Sequence, residues 1–354
     1  MTSAFERELL VITGKGGVGK TTTAAVIGLL GARAGSRVLI VELGDQARLP
    51  RLFGLMPPNL DVELQLSPNL WSISIDPDRA LLEWLQSIGG PLAGRVLGSS
   101  TTFQYFAAAA PGAKELVSMV KIWELTQGER WRKRAASYDL VVLDAPATGH
   151  ALAMLHSPWT FGAIARVGPI AGQTRAVQEL LEDRTRCAYL AVAHASEMAV
   201  SEALEIEDGL RRLFGRELDA VVVNGVLPRR FSEAELEQLG ALNGDAPAGT
   251  RRAARELAQQ GAPRPGGRER RAGATAGAGG SSRSTRGRSV ADRSLMHSAA
   301  HAARAVHERA RRQHNQIARL RRRGLRVISM PFVFTPELDL PGLELLAGQL
   351  SRKL

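Results

Sequence analysis

The stretch that decides the fold is Leu9-Leu-Val-Ile-Thr-Gly-Lys-Gly-Gly-Val-Gly-Lys-Thr-Thr-Thr23. Its apolar start, Leu9 to Ile12, predicts a short buried strand. Glycines then interrupt the apolar run, and an alanine-rich helical pattern follows from Lys20 to about Ala34. A strand, a glycine-rich loop and a helix in this order are typical of a phosphate-binding loop.

The residues from Gly14 to Thr21 match the spacing G-x-x-x-x-G-K-[ST] of that loop. Glycines let backbone N–H groups approach phosphate oxygens, and the following helix adds the positive end of its dipole. Lys20 is expected to reach the β- and γ-phosphates, and the Thr21 hydroxyl to bind Mg²⁺. The sequence therefore predicts a nucleoside triphosphate as ligand. The candidate binding residues of the loop are Gly14, Lys15, Gly16, Gly17, Val18, Gly19, Lys20, Thr21 and Thr22.

Strand and helix patterns alternate along the rest of the chain, which predicts an α/β fold with a doubly wound, mostly parallel sheet. Asp144 ends one of the strands, where its carboxylate would face the ligand crevice and orient Mg²⁺. A helical pattern over 77–133 predicts a helical subdomain inside the core. The further strands are predicted at Arg37 to Leu43, Asn69 to Asp76, Tyr138 to Asp144, Ala188 to Ala193, Leu218 to Asn224 and Leu325 to Met330.

Composition limits the class of protein. A chain of 354 residues is long enough for two average domains, although one large α/β sheet takes up most of such a length. The single cysteine, Cys187, excludes a disulfide within the chain and a multi-cysteine metal site, and we expect it to be buried. No signal sequence or membrane span is recognisable. We therefore expect a cytoplasmic protein, with peripheral membrane contact left open.

Several motifs together resemble one family. Lys15 gives K-G-G-x-G-K-T-T, which is similar to the deviant Walker A motif shared by ParA, MinD, the nitrogenase iron protein and the ArsA/Get-type ATPases. Asp144 to His150 resembles the D-T-A-P-T-G-H switch II motif of the ArsA/Get-type proteins alone. The chain is identified as resembling the ArsA/Get-like anion-transporting ATPases. Further similar segments are Pro111 to Leu116, Glu197 to Glu202, Val221 to Asn224 and Pro331 to Leu338.

This resemblance implies several roles. It implies that the ligands are ATP and Mg²⁺, and that Lys15 crosses a dimer interface to the partner's nucleotide. Asn224 would read adenine, and Pro331 and Phe332 would lie in the loop that closes over the base. The partners would be a second copy or a paralogue, together with a hydrophobic client protein or a membrane partner bound by the helical subdomain.

Switch I departs from the family pattern. The family reads D-P-A-H-S after the second strand, and its aspartate activates the attacking water. Gly44 holds that place here, so Glu42 and Asp45 are the available carboxylates. We favour Asp45, because a loop residue can move towards the γ-phosphate. The family's metalloid-binding cysteines and its zinc-binding C-x-x-C are also absent from this sequence.

The excess of basic residues behind the net charge of +11 lies in residues 251–323, which are rich in arginine and poor in acids. We predict an ATPase core of residues 1–245 and 325–354, a low-complexity disordered insertion over 246–296, and a basic helix over 297–323. That helix has either a solvated face or a surface for nucleic acid or anionic lipid. Nucleic acid is not favoured, because aromatic residues for base stacking are not interspersed among the arginines.

The sequence therefore indicates a Mg²⁺-dependent ATPase that acts as a dimeric switch and couples nucleotide state to its grip on a client. Two alternatives remain. One is a partitioning ATPase of the ParA/MinD type, which would use the basic segment on DNA or membrane. The other is an ATP-binding regulator with little turnover, as the altered switch I suggests.

Overall fold

The computed structural model describes residues 6–44, 47–87, 112–132, 135–164, 167–242 and 282–351. Its eight-stranded sheet has the order β3-β4-β2-β5-β1-β6-β7-β8. Neighbouring strands are parallel except for the antiparallel pair β3 and β4, so the predicted doubly wound, mostly parallel sheet is confirmed. The strands are β1 Leu9–Gly14, β2 Val38–Leu43, β3 Leu64–Ser67, β4 Leu70–Ile75, β5 Leu140–Ala147, β6 Cys187–His194, β7 Ala220–Val226 and β8 Val327–Pro331.

Helices connect most of the strands. None of the helices in the described part of the chain is both long and apolar enough to cross a membrane. Their bounds are α1 Lys20–Arg33, α2 Leu49–Leu52, α3 77–87, α4 Ala113–Thr126, α5 Thr148–Ile164, α6 Pro169–Glu182, α7 Glu197–Phe214, α8 Glu233–Leu242, α9 Ser282–Arg322 and α10 Leu340–Leu350.

The centre of the sheet positions the site. β1 lies between β5 and β6 and is buried along its whole length, as expected for a continuous apolar run in a parallel sheet. The chain leaves β1 through α1 and returns to β2 on the far side of β5, so strand order reverses here. Ligands of open α/β sheets bind at such a reversal, beyond the carboxyl ends of the strands.

Helix α1 lies close to the sheet because Gly28 has no side chain. A Cβ atom on Gly28 would be 2.7 Å from Cδ1 of Ile40 and 2.9 Å from Cδ1 of Leu70. On the exposed side of α1, Arg33 pairs with Glu344 of α10 at 2.9 Å. The helix that follows the phosphate-binding loop is thus held from both sides.

The chain separates into two compact units. The first, Met1–Val226 with Gln313–Leu354, holds the sheet, and the second is Leu227–Arg312. Our predicted domain boundaries remain a prediction, because residues 243–281 lie outside the described part. Within the second unit the Nδ1 atom of His307 lies 3.0 Å from the carbonyl oxygen of Phe231.

The basic helix differs from our expectation in where it begins. It begins at Ser282, well before the predicted start at His297, so the part of the predicted disordered insertion after residue 281 is helical. In its last turns Ile317 and Leu320 are buried in the core of the first unit, whereas Arg321 and Arg322 are exposed.

Candidate nucleotide-binding site

The first glycine of the loop after β1 is required because β6 lies too close for a side chain. Gly14 has a φ of 145°, and a Cβ atom there would lie 2.2 Å from the carbonyl oxygen of Val192 in β6. Gly14 also pairs with Ala147 of β5. A side chain at this position would therefore push apart the strands that carry the loop.

The last glycine of the loop contacts β7 in the same way. Gly19 has a φ of 93°, and a Cβ atom there would lie 2.2 Å from Nδ2 of Asn224. That amide donates a hydrogen bond to the carbonyl oxygen of Val18 at 3.0 Å. The structure thus brings Asn224, the predicted adenine reader, directly against the phosphate-binding loop.

Between these two contacts the loop borders a cavity of about 750 Å³. The space around Gly16 and Gly17 is open, since a Cβ atom on either would meet nothing within 4 Å. The lining residues are Gly16, Gly17, Gly19, Lys20, Thr21, Thr22, Glu42, Leu43, Arg48, Arg51, Leu52, Asp144, Ala145, Pro146 and Ala147. The cavity therefore joins the loop to the ends of β2 and β5.

Lys20 is the lysine that lines this cavity. Its Nζ donates hydrogen bonds to the carbonyl oxygens of Gly14 at 3.0 Å and Lys15 at 3.2 Å. Burial lowers the pKa of Lys20, and the nearby carboxylate of Asp144 opposes that shift. The ammonium is thus held inside the loop, where charged phosphate oxygens would be stronger acceptors than neutral carbonyls.

Thr21 and Asp144 form the predicted metal-binding pair. The Thr21 hydroxyl donates to Oδ2 of Asp144 at 2.6 Å. The other carboxylate oxygen, Oδ1, is buried and has no hydrogen-bond partner among the described residues. Burial raises the pKa of Asp144, while the Thr21 hydrogen bond and Lys20 lower it. An unpaired buried carboxylate oxygen beside a hydroxyl fits Mg²⁺, which prefers hard oxygen ligands.

Lys15 does not line the cavity of its own chain. Its Nζ lies 2.8 Å from Oε1 of Glu202 and also contacts the thioether of Met198, both on α7. The sequence offered no sign of this contact, because the residues are far apart in the chain. Of the two lysines in the loop, only Lys20 points towards the ligand space.

Glu42 anchors the segment after β2. Its two carboxylate oxygens accept the backbone N–H groups of Arg48 at 3.0 Å and Leu49 at 3.2 Å. Burial raises the pKa of Glu42 to about 7, although these two hydrogen bonds lower it. Asp45, our favoured water-positioning residue, lies outside the described residues.

Two arginines in this segment were missed when the sequence was read alone. Arg48 and Arg51 line the cavity with Lys20. The charge of Arg48 acts on Lys20, Glu42 and Asp144, since it contributes to the pKa shifts of all three. Their position directly after a strand of the parallel sheet was the available signal, because the carboxyl ends of such strands face the ligand.

The predicted base-closing residues lie at the edge of the site. Pro331 of β8 pairs with Val226, and the Phe332 N–H donates to the carbonyl oxygen of Val226 at 3.0 Å. Phe332 is 48% exposed and packs edge-on against Phe334. Neither Pro331 nor Phe332 lines the cavity. They lie at the same end of the sheet as Asn224.

Cys187 is fully buried in β6, and burial raises its pKa to about 12, so it is a packing residue. Within the described ranges, no group of three or more His, Cys, Asp or Glu side chains is arranged to hold a metal ion. Such a group would hold a metal ion through protein side chains alone. The Thr21 and Asp144 pair differs, because Mg²⁺ at such sites relies mainly on phosphate and water oxygens.

A family model described as anion-transporting ATPase matches residues 7–167, which include the whole loop and Asp144. Residues 7–167 are therefore similar to the anion-transporting ATPases. ATPase BagA of Mycobacterium tuberculosis is 29% identical over 236 residues, which cover 64% of this chain and 68% of that protein. An arsenical pump-driving ATPase of Acidiphilium multivorum is 26% identical over 246 residues, which cover 66% of this chain and 41% of that protein.

The suspected resemblance is therefore confirmed, and the chain carries an ATPase domain. The cavity, the loop and the Thr21 and Asp144 pair all lie in or beside the matched residues. Asn224, Pro331 and Phe332 lie outside the residues that the family model matches. Their roles in binding the base stay predictions from the resemblance.

Proposed function

We propose that the ATPase domain hydrolyses ATP with Mg²⁺ as part of a dimer, and that closure of the dimer on the nucleotide changes how the protein holds a client. The observation that carries this proposal is the hydrogen bond of 2.6 Å between Thr21 and Asp144 beneath an open glycine loop. The pair lies where a metal bound to a triphosphate would be held.

Different residues of this chain would bind the phosphates and the Mg²⁺ ion. Backbone N–H groups of the loop and the Lys20 ammonium bind phosphate oxygens. Thr21 and Asp144 would hold Mg²⁺, which neutralises charge on the phosphate oxygens when it is bound. Arg48 and Arg51, which also line the cavity, add positive charge. Phosphoryl transfer needs little more than such positioning and electrostatic stabilisation.

Lys15 would act on the nucleotide of a partner subunit. Support comes from its position, since its side chain turns to α7 while Lys20 lines the cavity. A second cation brought to the transferred phosphoryl group would stabilise the charge that grows there in the transition state. Each site would then be complete only when two subunits meet.

The attacking water would be positioned by Asp45. The structure gives a reason to prefer it to Glu42, because both oxygens of Glu42 already accept backbone N–H groups. A carboxylate occupied in this way has less freedom to hold a water. If neither acid contributes, turnover will be slow and the protein will act as an ATP-binding regulator.

The test combines sedimentation with turnover. Wild-type protein should sediment as a dimer with Mg²⁺ and a non-hydrolysable ATP analogue, and as a monomer without nucleotide. Its ATPase rate should change when hydrophobic-helix client peptides are added. A monomer under every condition would contradict the dimeric switch, and an unchanged rate across the peptide panel would contradict the client coupling.

A partitioning function is the second candidate, and the exposed arginines of α9 favour it. Arg304, Arg309 and Arg311 are exposed on the part of α9 within the second unit. Replacing the three with glutamate should abolish salt-sensitive binding to DNA or anionic vesicles and leave ATPase activity intact if this function is correct. Deleting the whole basic segment up to residue 323 would not test this function, because the deletion would also remove the buried Ile317 and Leu320.

A further inference from the structure

Lys15 pairs with Glu202 of its own chain, although in the proposed function it acts on the nucleotide of a partner subunit. The Lys15 Nζ and Glu202 Oε1 atoms are 2.8 Å apart, and the two side chains are 38% and 25% exposed. Met198, one turn earlier on α7, contacts the same ammonium through its sulfur. Lys15 is therefore held against its own chain by two side chains of one helix.

Helix α7 holds these two side chains in place. It begins after Ser196, whose side chain accepts the backbone N–H of Ala199, so its first turn is fixed. Its apolar side, including Val200 and Leu204, is buried. Residues 198 and 202 are four apart and project together from the helix, as neighbours on one helical face do. Their position beside the loop is thus set by core packing.

Glu202 has little else to pair with. Its second oxygen, Oε2, is buried and has no hydrogen-bond partner among the described residues. A carboxylate in this position depends on Lys15 for charge compensation. Each partner therefore stabilises the other in the present arrangement, and releasing Lys15 leaves Glu202 uncompensated.

We propose that Glu202 is an internal competitor for Lys15, which restrains the lysine on its own subunit and raises the protein concentration needed for nucleotide-dependent dimerisation. The inference rests on the proposed function, in which Lys15 crosses to a partner's nucleotide. One ammonium cannot neutralise Glu202 and the partner's phosphates at once. The ion pair must open before the dimer closes.

The partial exposure of the Lys15 and Glu202 side chains sets how strongly the ion pair can oppose dimerisation. Partly exposed ion pairs contribute little because water screens them and ordering two side chains costs entropy. We expect the restraint to shift the dimerisation midpoint by roughly two- to fivefold, a bias rather than an absolute block. The shift should shrink as ionic strength rises, because salt screens the pair.

The test variant is Glu202→Gln, which removes the charge and keeps the shape. With Mg²⁺ and a non-hydrolysable ATP analogue, sedimentation should show half-maximal dimerisation at a two- to fivefold lower protein concentration than in wild type. Glu205→Gln is the matched control, since Glu205 is an exposed acid on the same helix. It should leave the midpoint unchanged. A thermal melt of each variant checks that it is folded.

A double variant separates the restraint from a general charge effect. Lys15→Ala alone should not dimerise, and adding Glu202→Gln should not restore the dimer, because the lysine that Glu202 restrains is absent. A restored dimer would show that Glu202 acts by general repulsion and would overturn the inference. An unchanged or weakened dimer in the single Glu202 variant would overturn the inference while leaving the dimeric switch intact. A wild-type protein that never dimerises would overturn both.

Discussion

Lys20 is the residue on which ligand binding depends most directly. Its ammonium lies inside the loop, within 3.0 Å of the Gly14 carbonyl oxygen. We expect Lys20→Ala to abolish measurable ATP binding and turnover, because hydrogen bonds from a charged group to phosphate are among the strongest polar contacts. Calorimetric titration with ATP measures the loss. Lys114→Ala, on the exposed side of α4, should bind ATP normally. Micromolar affinity in the Lys20 variant would contradict the assignment of the loop.

The water-positioning acid is tested by a pair of variants. Asp45→Asn should keep ATP affinity, because the amide preserves shape, and lower kcat by about 10²-fold or more. Glu42→Gln should retain more turnover than Asp45→Asn. Both carboxylate oxygens of Glu42 already accept backbone N–H groups, so Glu42 is less able to position a water. Steady-state ATPase assays distinguish the two. A normal rate for Asp45→Asn with a collapsed rate for Glu42→Gln would transfer the role to Glu42.

Glu42 should also leave a signature in the pH dependence of stability. Its pKa is about 7 in the folded chain against an ordinary value of 4.5. The folded state binds this proton more tightly, so stability falls as pH rises through that window. Relative to wild type, Glu42→Gln should therefore gain about 2 to 3 kcal/mol in free energy of unfolding between about pH 5 and pH 8. Urea unfolding without nucleotide measures this. A constant difference across pH would show that Glu42 is ionised throughout.

At the level of secondary-structure elements, a buried charge network joins α4 to the loop that follows it. Glu124 of α4 accepts hydrogen bonds from Lys121 at 2.9 Å, Arg130 at 2.7 Å and the Trp131 N–H at 3.0 Å. Arg130 also reaches Glu63, before β3, at 3.0 Å. Glu124 is almost completely buried. The network therefore attaches the helical region to the edge of the sheet.

Removing the centre of that network should be costly. We expect Glu124→Ala to lower the free energy of unfolding by about 3 to 5 kcal/mol, because Lys121 and Arg130 each lose their buried carboxylate partner. They keep only the less buried carboxylates of Glu83 and Glu63. Lys114→Ala breaks an exposed ion pair with Asp78 and should cost less than about 1 kcal/mol. Urea denaturation of both variants gives the comparison. Equal losses would mean that water enters and compensates the network.

For the whole molecule, the decisive question is whether the site is completed by a second subunit. Lys15→Ala should leave ATP affinity within about twofold of wild type, because the Lys15 side chain pairs with Glu202 of α7 and does not line the cavity of its own chain. Turnover and nucleotide-dependent dimerisation should both be lost, as a cation on the transferred phosphoryl group contributes several kcal/mol. Sedimentation and ATPase assays check this. Full turnover in the variant would exclude the role in trans.

Much of this molecule could be read from local pattern. The run from Leu9 into the glycine loop and α1 predicted the central strand and the phosphate site, because strand, loop and helix are each specified by neighbouring residues. Asp144 could be placed at the carboxyl side of the sheet for the same reason, as it directly follows the apolar run Val141 to Leu143. The parallel sheet followed from alternation of the elements.

Contacts between distant segments were decided only by the tertiary structure. Gly14 and Gly19 must be glycines partly because a Cβ atom there would clash with Val192 and Asn224, which lie on other strands. The pairing of Lys15 with Glu202 likewise joins residues far apart in sequence. The burial of Ile317 and Leu320 in an arginine-rich helix is a further case. Periodicity reports which residues share a face of one element, whereas the neighbour that covers that face is set by packing of the whole chain.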